Sequence, residues 1–84
     1  MDRLRFYRKR LNRLDREIAV NIARKIDLVK EVWTWKKAND VPLIDKKREK
    51  EIAEKNSEIS GLDRKFLKKI YDEVRKEVWR QFRE

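Results

Sequence analysis

The sequence has no cysteine, no histidine, one glycine and one proline among its 84 residues. Without cysteine it can form neither a disulfide framework nor a thiolate metal site, and without histidine a conventional zinc site is excluded as well. With so little glycine and proline and few β-branched runs, no strand pattern competes with helix. The chain therefore reads as a single all-α domain over residues 1–84. Long apolar runs are also missing. The longest stretch free of charge is Ile18 to Ala23 and the N-terminus has no apolar leader, so neither membrane insertion nor export is expected and a cytoplasmic location is the default.

Charge is what the chain has in abundance. Lys and Arg number 25 against 16 Asp and Glu, a formal +9, and charged residues at 49% outnumber hydrophobic ones at 39%. Such a composition supports narrow apolar stripes rather than a broad interior. With no crosslink or metal to help so small a core, association of chains is the remaining route. The positive charge attracts anions at long range, whether nucleic acid, an acidic protein or a small polyanion.

Three helices of unequal length are expected, one long, one short and one medium. The first runs from about Arg3 to Ala38, roughly 54 Å, too long to be covered by its own chain. Asn39, Asp40 and Pro42 end it, and Asp45 is placed to cap a second helix reaching about Asn56. Ser60, Gly61 and Leu62 make the next break, after which Asp63 caps a third helix to about Phe82.

Each helix carries polar groups on its apolar face. In the first, Tyr7, Leu11, Leu14, Ile18, Ile22, Val29 and Val32 cluster within roughly 80°, and Lys25 and Lys36 project near the middle of that stripe. Glu49 falls at the centre of the inward group Ile52, Ala53 and Ile59. Gln81 falls close to the centre of Leu67, Ile70, Tyr71, Val74 and Val78. Singly these have plain readings: an inward lysine can snorkel, Asp45 is equally a cap, Glu49 can pair on a solvated rim, and Gln81 can fray. Together, an ammonium pair, a carboxylate and an amide on three inner faces describe a lined cavity built for something negative. Trp33 and Trp35 read as core or dimer packing.

The linear order Arg8, Leu14-Asp15, Lys25, Leu28-Val29, Val32, Lys36, then Val41-Pro42-Leu43-Ile44-Asp45 and Arg48-Glu49, resembles the all-helical chorismate mutases. The match is closest from Arg8 to Glu49 and looser through Gly61-Leu62-Asp63, Ile70-Tyr71 and Gln81. The resemblance implies an intertwined, domain-swapped homodimeric helix bundle, with long first helices paired antiparallel and active sites that borrow residues from both chains. It implies the Claisen [3,3] rearrangement of chorismate to prephenate, in Phe and Tyr biosynthesis, without cofactor, metal or covalent intermediate.

By that similarity, Arg8 of the partner chain, Lys25 and Arg48 would hold the two carboxylates of the dianion. Lys36 and Gln81 would donate to the ether oxygen, and Glu49, with Asp45, would take the ring hydroxyl. Val32 would line the site. The sequence departs from the family at Lys25, where arginine is usual. Ungapped counting puts Phe82 rather than Gln81 at the family's glutamine position, whereas the helical stripe favours Gln81. On the Gln81 register Glu77 joins the site, where a carboxylate beside an anion is unfavourable.

An isochorismate-pyruvate lyase of the same fold is the nearest alternative. A basic helical dimer binding nucleic acid would use the +9 charge and outward Arg3, Arg5, Lys9 and Arg16. It leaves the inward lysines, Glu49 and Gln81 unexplained, as does a purely structural coiled coil, so nucleic acid is the less favoured partner.

Overall fold

The three helices are present in the computed structural model of the chain, which describes residues 2–83. α1 spans Asp2–Ala38, α2 Lys46–Ser60 and α3 Arg64–Phe82, and no strand occurs among the described residues. The caps fall where the sequence puts them. The Asp45 carboxylate accepts from the Arg48 N–H at 3.0 Å and the Asp63 carboxylate from the Phe66 N–H at 3.0 Å, each satisfying a donor that the first helical turn leaves free.

α1 closes on Asp40, whose left-handed φ of 54° lets the Val41 N–H reach back to the Lys36 carbonyl at 2.9 Å. α2 runs to Ser60, one turn past the expected end at Asn56. The Ser60 hydroxyl donates to the Asn56 carbonyl at 2.6 Å, and Gly61, at φ 77°, places its N–H on the Ser57 carbonyl at 2.9 Å. Side-chain bonds of this kind hold a last turn that helix propensity alone assigns to a loop.

α3 is the central element, packed against both α1 and α2, while α1 and α2 make no close backbone contact with each other. The core joins Ile26 and Trp33 of α1 to Val74 and Val78 of α3, with Val29, Leu43 and Phe82 packed against it. Trp33 meets Phe82 edge-on with centroids 5.5 Å apart and Trp79 at 6.2 Å, the geometry that aromatic quadrupoles favour. Trp33 is thus core, whereas Trp35 is exposed. Ile59, expected to point inward, is 74% exposed. It continues the α2 face of Ile52 and Glu49 by two turns, and none of the described residues buries it there.

The first six turns of α1 project from this bundle. Leu11, Leu14, Ile18 and Ile22, the inward stripe of the sequence, lie exposed on the single chain. The radius of gyration is 16.2 Å, against about 12 Å for a compact chain of this length. The accessible surface is 7599 Å², where a compact chain of this mass exposes about 5,400 Å². No described helix is long and apolar enough to cross a membrane.

Candidate active site

Because α1 and α2 both lean on α3 without close backbone contact between them, a cavity of about 380 Å³ remains there. Its walls are apolar, from Leu28, Val29 and Val32 of α1, Ile52 of α2, and Val74 and Val78 of α3. Four cations (Lys25, Lys36, Arg48 and Arg75) and two carboxylates (Asp45 and Glu49) reach it, leaving an excess of two positive charges. A volume of this size lies within the range of small-molecule sites, about 300–1,000 Å³.

The local fold aims each charge. Lys36 sits in the last turn of α1, where a cation meets the negative end of the helix dipole, and its Nζ donates to the Leu43 carbonyl at 3.2 Å. The left-handed Asp40 turn brings that carbonyl over it. Lys25 places its Nζ 4.4 Å from the centre of the Tyr71 ring, and the Tyr71 hydroxyl is held by the Asn56 amide at 3.0 Å. Burial pushes the Lys25 ammonium below its ordinary range; nearby Glu49 opposes the shift and Arg48 adds to it.

Glu49 receives Arg75 Nη1 at 2.5 Å, and Arg75 Nη2 lies 3.3 Å from Asp72. The bond to Glu49 is the main cause that raises Arg75 above its usual value. Asp45 uses one carboxylate oxygen as the α2 cap while lining the cavity. Arg48 lines the wall beside them.

Of the residues singled out from the sequence, the cavity gathers Lys25, Val32, Lys36, Asp45, Arg48 and Glu49. Arg8 does not join them within one chain, since it lies on exposed α1 about 25 Å along the helix from Lys25. Glu77 and Gln81 stand outside the lining and are bonded to each other. Gln81 Nε2 donates to Glu77 at 2.8 Å, and Lys30 Nζ donates to Gln81 Oε1 at 3.1 Å. Arg80 Nε donates to Glu77 at 3.0 Å and, with the Gln81 bond, pulls the Glu77 carboxyl down to about 2. Phe82, the other candidate for the glutamine position, packs into the core against Trp33.

Two contributors escaped the sequence reading, Arg75 and the ring of Tyr71 as a seat for Lys25. The signal for Arg75 was its spacing, four residues after Tyr71 and three before Val78, which keeps it on the inner face of α3.

Four cations on apolar walls, with two carboxylates among them, suit the binding of a small anion and the stabilisation of negative charge that develops on it. Histidine and cysteine are absent from the whole chain. No curated protein and no solved structure gives a significant match to the chain. A family model described as chorismate mutase type II matches residues 7–81, a span that takes in the exposed stripe of α1, both helix caps and every charged residue of the cavity. The chain belongs to the chorismate mutase type II family, a family of isomerases.

Proposed function

We propose that the chain rearranges chorismate to prephenate as an antiparallel homodimer in which each cavity is completed by the partner's α1. The observation that carries the reading is the meeting of Lys25, Lys36, Arg48 and Glu49 on one apolar-walled cavity with two positive charges in excess. Chorismate is a dianion. In the rearrangement the ether C–O bond breaks as a C–C bond forms within the same molecule, and no proton or group leaves. Side chains need only fold the enolpyruvyl arm over the ring and meet the charge that grows on the ether oxygen.

Lys25 and Arg48 hold the carboxylates, Lys36 donates to the ether oxygen, and Glu49 accepts from the ring hydroxyl with Asp45 beside it. Val32 packs against the ring. Lys25 offers a point charge where the family's arginine offers a fork, and the Tyr71 face fixes its direction. Gln81 would act as a second donor to the ether oxygen by exchanging its bond to Glu77 for one to substrate. Removing such a donor from a water-excluded site costs about 3 kcal/mol, or roughly a hundredfold in rate.

The uncovered stripe of α1 supports the dimer. The surface beyond that of a compact chain is about 2,000 Å², more than the roughly 800 Å² per partner of a standard interface. An antiparallel pair centred on Val20, the midpoint of α1, sets Arg8 of one chain opposite Val32 of the other, between Lys25 and Lys36. Arg8 would then contact a substrate carboxylate across the interface.

Incubating the purified chain with chorismate alone tests the reading. Consumption of chorismate with prephenate as product supports it. Release of pyruvate from isochorismate with no prephenate from chorismate would assign the lyase activity instead, and binding that falls steeply with salt on nucleic acid, with no turnover, would sink both enzymatic readings.

A further inference from the structure

Glu49 is not the last member of its own network. Its Oε2 receives Arg75 Nη1 at 2.5 Å, while Oε1 has no protein partner among the described residues. Arg75 stands on α3, opposite the α2 turn that carries Glu49, and lines the cavity itself. It is 28% exposed, and its second nitrogen lies 3.3 Å from the Asp72 carboxylate one turn back on α3. A glutamate on a helix that makes no close backbone contact with α1 would otherwise sweep several rotamers at the cavity mouth. A guanidinium held at both ends restricts it to one.

We propose that Arg75 is a positioning residue for Glu49: braced by Asp72, it fixes the carboxylate at the cavity wall with one oxygen directed to a hydroxyl of the substrate. This rests on the reading that Glu49 accepts from the ring hydroxyl of chorismate. The ion pair also offsets the Glu49 charge, so that the carboxylate oriented toward the hydroxyl does not repel the dianion. An arginine suits the task because its planar fork can serve Glu49 and Asp72 at once, which a lysine cannot do with the same geometry.

A double-mutant cycle on kcat and KM tests the assignment, using Arg75→Met, Glu49→Gln and the two together, with Arg75→Lys and Asp72→Asn alongside. Arg75→Met is expected to lower kcat/KM about tenfold, the scale of coupling within one hydrogen-bond network. In the Glu49→Gln background the same change should have little further effect. Arg75→Lys should recover part of the loss, and Asp72→Asn should lower kcat without changing helix content.

Additive effects of Arg75→Met and Glu49→Gln would show that Arg75 acts independently of Glu49 and overturn the inference. So would an Arg75→Met protein as active as the parent. Should Arg75→Met fail to fold, Asp72→Asn carries the same cycle, and additivity there is equally fatal. A parent chain without turnover of chorismate overturns the functional reading, and this inference with it. An active parent with an additive cycle overturns the inference alone.

Discussion

Replacing Lys36 with Met removes one ammonium while keeping most of the stem that packs in the last turn of α1. In the ground state the loss is small. Nζ donates one bond, to the Leu43 carbonyl at 3.2 Å, from a half-buried position where water can take its place, so folding stability should fall by only about 0.5–1.5 kcal/mol. The loss in the transition state is larger, because negative charge on the ether oxygen appears only as the C–O bond breaks. There the missing donor is worth about 3 kcal/mol, or a hundredfold in kcat. The assay pairs initial rates of chorismate consumption with far-ultraviolet circular dichroism and a denaturation midpoint. The reasoning predicts a large fall in kcat beside a nearly unchanged midpoint. A variant with the parental rate, or one whose rate falls only in step with unfolding, would refute the role given to Lys36.

Trp33→Ala should destabilise the fold by about 3–5 kcal/mol in chemical denaturation, since it empties the buried centre shared with Ile26, Val74 and Val78 and removes the ring contacts to Phe82 and Trp79. Leu14→Glu places a charge on the exposed α1 stripe and removes an apolar contact twice in a symmetric dimer. Sedimentation should show dimer association weakened by about 3–6 kcal/mol and turnover lost with it. Glu77 is held near 2, below its ordinary 4.5, so its stabilising contribution is complete above pH 4.5 and is lost as pH falls toward 2. Melting temperatures across that window should decline more steeply for the parent than for Glu77→Gln; equal slopes would count against the Arg80–Glu77–Gln81 cluster.

Most of the scaffold was legible because its signals are local. Asp45 and Asp63 are short acceptors ahead of helical stripes, Gly61 supplies the left-handed stop, and Trp33 lies on the side of α1 that α3 covers. The helical period also put Lys25, Lys36 and Glu49 on one cavity, because a period read along each helix needs no knowledge of the others. What depends on two elements at once was harder to read. The last turn of α2 is held by the hydroxyls of Ser57 and Ser60, and Ile59 is left uncovered by the described residues. Arg75 is one base among 25 in the sequence, and only the approach of α2 turns it toward Glu49. Gln81 shares the inner stripe of α3, yet its amide turns to Lys30 and Glu77, a choice between neighbours that periodicity cannot make.

The central claim is that chorismate rearranges in a cavity built by one chain and completed by Arg8 of another, and mixed dimers test it most directly. Arg8→Ala and Lys36→Met chains, each inactive alone, are unfolded together in equal amounts and refolded, and prephenate formation is measured. Half of the dimers should then be mixed, each with one intact site and one doubly impaired, restoring about one quarter of the parental activity. Activity no greater than the sum of the two separate variants, once mixed dimers have been shown to form, would contradict a site shared between chains.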